Sequence, residues 1–301
     1  MGGLFIFTTR KEISITMSRK FSLAYLTIPG TNPMDQIKIA KEAGYDFVSL
    51  RTIPMHLPGE PSFLPQEDPK LFADIQAALK EYDMPVMDIE LARIRKDLDI
   101  NEYEPAFEAA AKLGATDVLG SVWTRDVKWY TETAGKVADM AKKYGLMFNI
   151  EFLPWAGVRN LQEDITLIDN LYRDNVFVMV DTLHAGRAGV TGAELARTPR
   201  KYFRFIHLCD GPAGPATEDM PNGDPVLDNI KDDLMLFTAR EGRMYPGEGA
   251  MAIADMVKAM PNIPLSIELP NLKEIKARGV AGHARQCLDV AKKYFAANGI
   301  D

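Results

Sequence analysis

Glu151, Asp181, His207 and Glu268 are the residues whose types and spacing point most directly to chemistry. Each ends a short apolar run: Met147-Phe-Asn-Ile-Glu151, Val176-Phe-Val-Met-Val-Asp181, Tyr202-Phe-Arg-Phe-Ile-His207 and Pro264-Leu-Ser-Ile-Glu268. Such runs read as strands buried on both faces, as in a parallel sheet. Ionisable groups at their tips are costly unless something pairs them, and one divalent cation would pair all four. Three carboxylates and one imidazole make an oxygen-rich donor set. It suits Mn²⁺ first, with Mg²⁺ or Co²⁺ as close relatives, whereas structural zinc prefers more Cys or His. Four protein donors on an octahedral ion leave two adjacent positions for a hydroxy-carbonyl group. That group would be polarised there and stabilised as an enediolate. Glu151 and Glu268 can then act as a catalytic pair, one removing a proton beside the carbonyl and the other returning it.

Other residues gather around this set. His184, three residues after Asp181, and Arg243, ahead of the turn Tyr245-Pro-Gly-Glu-Gly249, are candidates for binding substrate oxygens. Trp123 and Trp155 close two of the strand-like runs and are candidates to stack on a sugar ring, with core filling as the competing role. Glu90 ends another run and is expected either at the site or as a partner of Arg51 or Arg93. His56 reads as a solvated loop residue and His283 as a surface residue.

The elements that must position these residues alternate. Strand-like runs at 21–28, 46–53, 84–92, 116–123, 147–154, 176–183, 202–209 and 264–269 are separated by helical stretches at 33–43, 68–82, 104–113, 126–144, 161–173, 191–197, 250–260 and 283–297. The alternation predicts a parallel sheet with crossover helices, and eight units favour closure into a single-domain (β/α)₈ TIM barrel. In that fold, residues at the C-terminal strand ends form the site. The four candidate ligands are 30, 26 and 61 positions apart, which suits one βα unit, a second, and a third with a long insertion. Gly44, Gly114 and Gly145 stand where helices stop, and Asp35, Asp68 and Asp126 where they start. The Pro-, Gly- and Asp-rich stretch 211–246 reads as a lid or substrate wall.

At 301 residues the chain is long for a generic domain but ordinary for one α/β barrel. The net charge of -7, without a Lys/Arg block, argues against a nucleic-acid partner. No apolar run is long enough for a membrane span. The two cysteines, Cys209 and Cys287, fit no zinc or CxxC spacing and suit a reduced, cytoplasmic setting. Residues 1–16 read as an upstream extension, because Met17 begins a more conventional opening, leaving 17–301 as the barrel. The expected partner is a small carbohydrate or related ketone. A homo-oligomer is compatible with everything above.

The segments Asn149-Ile-Glu151, Val180-Asp181-Thr-Leu-His184, Ile206-His207-Leu-Cys-Asp210, Arg243-Met-Tyr-Pro-Gly-Glu-Gly249 and Ser266-Ile-Glu268 resemble the sugar phosphate isomerase/epimerase superfamily of xylose isomerase-like TIM barrels. The resemblance covers roughly residues 21–298. It implies that Glu151, Asp181, His207 and Glu268 bind Mn²⁺, Mg²⁺, Co²⁺ or sometimes Zn²⁺. It also implies acid and base roles for the two glutamates, substrate contacts for His184 and Arg243, and a position for Asp210 near the site. The expected activity is a metal-dependent isomerase or epimerase of a sugar or polyol-derived ketone. The alternatives are a lyase or dehydratase on the same scaffold, either dehydroshikimate dehydratase-like or C-glycoside-cleaving. More remote are a non-catalytic sugar-binding protein and endonuclease IV-type DNA repair. The last is disfavoured by the acidic charge and by Arg51 and Glu90 standing where histidines would be needed.

Overall fold

The computed structural model describes residues 19–55, 60–213 and 234–300. The expected 1–16 extension, His56 and the middle of the 211–246 stretch lie outside the described residues. Eight strands form a closed, all-parallel barrel in chain order: β1 Phe21–Leu23, β2 Phe47–Arg51, β3 Val86–Ile94, β4 Asp117–Val122, β5 Met147–Glu151, β6 Val176–Asp181, β7 Phe203–Leu208 and β8 Leu265–Ile267. The ring closes where Ser22 of β1 pairs with Ser266 of β8. Around it run α1 Pro33–Ala43, α2 Pro69–Glu81, α3 Glu104–Lys112, α4 Val127–Lys143, α5 Leu161–Leu171, α6 Thr182–Arg187, α7 Gly192–Arg197, α8 Leu234–Glu241, α9 Ile253–Ala259 and α10 Leu272–Ala297.

Local chemistry explains the helix ends. Asn32 caps α1 by accepting the Asp35 N–H, and Asp68 and Asp126 cap α2 and α4 in the same way. Gly44, Gly114 and Gly145 all adopt positive φ just past α1, α3 and α4, a conformation that only glycine reaches without strain. The main apolar core lies between the barrel wall and the helices, with Leu23, Ile37, Leu50, Ile75, Phe107 and Phe148 fully enclosed. A smaller cluster of Met87, Leu91, Leu119, Met179 and Phe205 packs separately. Strand alternation turns Leu23, Leu50 and Phe148 outward and Leu119, Met179 and Phe205 inward, while Met87 and Leu91 stand at register shifts of β3. No helix among the described residues is long and apolar enough to cross a membrane.

Among the boundaries that differ from expectation, two have a clear local cause. The run expected as strand to residue 183 ends at Asp181, because that carboxylate accepts the Leu183 and His184 N–H groups and starts α6. The last helix begins at Leu272 rather than 283, capped by Asn271 and bent at Gly279. Its first turns, Leu272-Lys-Glu-Ile-Lys-Ala-Arg, are too polar to show a helical apolar face.

Candidate metal centre

Glu151 and Asp181 are the last residues of β5 and β6, His207 is the penultimate residue of β7, and Glu268 follows β8 directly. The register sets Asp181 beside His207, and His207 beside Ser266 two residues before Glu268. All four are buried, and one ligand atom from each lies within 4.8 Å of the other three. Donors about 2.1 Å from one ion stand roughly 3–4.2 Å apart in an octahedron, so a modest contraction would gather these four around a cation.

Several donor atoms are left without partners. Glu151 Oε1 and both ring nitrogens of His207 are enclosed and make no hydrogen bond among the described residues. His207 Nδ1 stands 3.2 Å from Glu268 Oε2, close enough for an ion pair but not aligned as a hydrogen bond. Asp181 divides its oxygens. Oδ1 caps α6 through Leu183 N and His184 N, and Oδ2 faces the centre.

Arg243 reaches into the same space. Its Nη1 pairs with Asp181 Oδ2 at 2.5 Å and its Nη2 with Glu268 Oε2 at 2.7 Å, while Nε is held by the Ala239 carbonyl at the end of α8. Three carboxylates against one guanidinium leave two negative charges in excess, which a divalent ion would neutralise. The hard donor set, the orphaned atoms and this charge balance all fit such an ion.

Electrostatics divide the two glutamates. Burial, with Glu268 and Asp181 as neighbours, raises the Glu151 pKa well above the usual carboxylate range. Burial also acts to raise Glu268, but Arg243, His207 and Arg51 outweigh it and hold its carboxyl well below that range. Burial opposes charge on His207, yet Glu268, Glu151 and Asp181 raise it to about 10.

A cavity of about 60 Å³ opens above the centre, bordered by Glu151, Glu268, Arg243, His184, Trp123 and Trp155. The two glutamates and the four expected substrate contacts therefore border one space, and Asp181 and His207 join the glutamates at its floor. The His184 Nε2 is 3.9 Å from Glu151 Oε1, and its ring meets Trp155 edge-on at 4.9 Å. Burial lowers the His184 pKa to about 4, against the attraction of Asp181, so the ring is neutral at pH 7. Trp123 donates Nε1 to Ser121 Oγ, and Trp155 Nε1 has no partner.

Glu90 borders the same cavity but is engaged by Arg51 at 2.6 Å, the pairing weighed from the sequence. Arg51 was not expected to face the site. The signal available was its place at a strand tip, opposite Glu90 of the next strand. Asp210 does not face the cavity. Its carboxylate accepts the N–H groups of Gly211, Gly247, Gly249 and Met251 and so folds the turn that carries Arg243. A Cβ on Gly249 would collide with Asp210 Oδ1 and the Gly211 carbonyl, so this turn needs glycine there. His283, expected at the surface, is fully buried. It lies within α10 rather than at a helix start, and there it bonds the Tyr245 hydroxyl and the Leu269 carbonyl beside Glu268.

Comparison with known proteins follows the same lines. A family model described as xylose isomerase-like TIM barrel matches residues 37–290. An inosose isomerase of Bacillus velezensis is 22% identical over 293 residues, covering 89% of this chain and 95% of its own length. One from Bacillus subtilis is 25% identical over 213 residues, 65% of this chain and 70% of its own. The solved IOLI protein with a zinc atom bound superposes with a TM-score of 0.70 at 19% identity, over 92% of this chain and 99% of that one. D-psicose 3-epimerase from Clostridium cellulolyticum H10, solved with D-tagatose, gives 0.63 at 15% identity, over 91% and 99%. The structural likenesses show a shared barrel, and the model's match over most of the chain goes further: this chain belongs to the xylose isomerase-like TIM barrel family.

Proposed function

We propose that the chain is a divalent-metal-dependent isomerase or epimerase of a sugar or polyol-derived ketone, with an inosose-like ring among the first substrates to try. The observation that carries this reading is the placement of the two glutamates: Glu151 and Glu268 share one cation-sized space with Asp181 and His207, and both border the cavity above it. Two carboxylates beside one substrate space can act in turn as proton acceptor and proton donor. A divalent ion held by Glu151, Asp181, His207 and Glu268 would supply Lewis-acid stabilisation of negative charge developing on neighbouring substrate oxygens.

The chain's own residues do the rest. Glu268 accepts the proton from the carbon beside the carbonyl, and the C–H electron pair spreads into that carbonyl. Glu151, ionised once an ion is bound, gains a proton from a substrate hydroxyl and delivers it to the product, to the opposite face in an epimerase or to the neighbouring carbon in an isomerase, and Glu268 returns its own proton to that oxygen. Neutral His184, steadied by Trp155, offers a ring nitrogen to a substrate hydroxyl. Arg243 holds Asp181 and Glu268 in place and presents a further Nη2 N–H to a substrate oxygen. Leu91, Leu119, Trp123 and Trp155 supply an apolar wall that strengthens these contacts by excluding water.

The test is exchange of a substrate C–H proton with D₂O, with Mn²⁺ present, across ketoses and inososes. Exchange is expected with at least one of these ketones, and the mass of its product separates isomerisation from a lyase or dehydratase reaction. Glu268→Gln should lower exchange by about 10²–10⁴-fold while the metal still binds. Wild-type exchange in that variant would remove Glu268 from the acid/base role.

A further inference from the structure

A second cavity, of about 340 Å³, lies beside the mouth, between the segment after β2 and the segment leading into α3. That volume falls in the range of small-molecule sites. Arg93 of β3 lines it and is 4% exposed. Its Nη2 donates to the Met55 carbonyl at 2.9 Å, and among the described residues no carboxylate pairs with it. The other buried guanidiniums at the barrel mouth differ. Arg51 pairs with Glu90 and Glu60, and Arg243 with Asp181 and Glu268.

The surroundings make Arg93 harder to leave alone. Burial and the neighbouring Arg95 both act against its charge and Arg51 adds to the repulsion, while Tyr103 and Glu60 act in its favour without offsetting them. Arg95 is already matched by Asp97, and Glu60 by Arg51. A guanidinium does not shed its proton in proteins, so the charge remains. Glu67, Asp99 and Glu102 also border the cavity, but they are exposed residues at its rim, where water screens them. The Asp99 carboxylate is further engaged by the backbone and side chain of Asn101. Gln66, which also borders the cavity, is held by donating Nε2 to the Thr52 carbonyl. A buried cation lacking a counter-ion at a cavity of this size calls for a ligand with a negative group.

We propose that this cavity is an anion site in which Arg93 binds a phosphate or carboxylate group. Arginine's planar fork matches both anions through paired hydrogen bonds. The two cavities are joined through neighbouring residues: Thr52 and Pro54 line this one, and Arg51 and Met55, whose carbonyl holds Arg93, line the central one. The anion can therefore be an appendage of the substrate or a separate small molecule. Neither source depends on the acid/base reading of the two glutamates.

The experiment is calorimetric titration of the full chain, in chelator, with inorganic phosphate and separately with glycolate. Saturable binding at one per chain is expected for at least one of them, and the tighter of the two identifies the anion. Arg93→Gln should weaken it at least 10-fold. Leu64→Trp, which fills the cavity and leaves the guanidinium in place, should do the same, and it keeps the test available if Arg93→Gln does not fold. Glu268→Gln should bind the anion as wild type does, so a failed reaction mechanism and a failed anion site are told apart. No saturable binding of either anion, or binding unchanged in Leu64→Trp, would overturn the proposal.

Discussion

Glu151 and His207 favour a proton in the metal-free centre for different reasons. Glu151 is enclosed beside two other carboxylates, so its charged form is disfavoured. His207 is enclosed beside three carboxylates, and their attraction outweighs burial and raises it to about 10. Those two protons stand in for the two charges that a divalent ion would bring. Binding a metal requires a neutral imidazole and an ionised carboxylate, so it must displace them. Metal affinity should therefore rise with pH between 6 and 9, with one to two protons released per ion. Calorimetry in buffers of different ionisation enthalpy measures that number. Release of no protons, or an affinity flat in pH, would mean that His207 and Glu151 are not both ligands. Asp181→Asn should weaken binding for another reason: the amide keeps the α6 cap through its oxygen but removes a charge that the ion needs.

The same strand ends show how the elements carry the site and how far the sequence discloses them. The alternation of apolar runs and helices was legible because each βα unit repeats the same chemistry, with a cap such as Asp68 at the start and a glycine such as Gly114 at the stop. The four candidate ligands were legible because a charge ending a doubly buried strand conflicts with its surroundings. Asp181 was legible as a candidate ligand but not as the cap of α6, since one carboxylate performs both roles. His283 was misread because its partners, Tyr245 and Leu269, come from segments brought together only by the closed barrel. Asp210 was legible only as an acid near the site, because of its four N–H donors only Gly211 is adjacent and Gly247, Gly249 and Met251 lie in the distant turn after Arg243. Oδ1 takes Gly211 and Met251, and Oδ2 takes Gly247 and Gly249. Asp210→Asn would set an amide NH₂ against two N–H donors whichever way it is turned. The expected cost is about 2–4 kcal/mol of unfolding free energy, with a fall in the D₂O exchange rate as the turn carrying Arg243 loosens. Chemical denaturation and the exchange assay together check this. Unchanged values for both would mean that the turn holds its shape without Asp210.

At the scale of the whole molecule, the barrel interior holds acidic groups whose ionisation works against the fold. Below the centre, Asp88 is fully buried, accepts a hydrogen bond from Ser49, and has its other oxygen unpartnered. Burial, then Glu90, raise its pKa to about 8. A carboxyl raised in the folded state binds its proton more tightly than in the unfolded chain, so stability falls as pH rises from about 4 towards 8. His207, raised from 6.5 to about 10 in the metal-free protein, contributes stability in full below about 6.5 and loses it as pH rises through 10. Both slopes have the same sign across neutral pH. The chelated protein should therefore show a Tm that drops steadily from pH 6.5 to 9.5. Bound Mn²⁺ should raise Tm throughout and remove the His207 part of the slope, because the ion takes the place of that proton. Asp88→Asn keeps an oxygen to accept from Ser49 and cannot ionise, so it should leave Tm little changed near pH 5 and raise it near pH 9. Differential scanning calorimetry at three pH values, with chelator and with Mn²⁺, separates the contributions. A chelated Tm that stays level or climbs towards pH 9.5 would show that neither Asp88 nor His207 holds its proton in the fold.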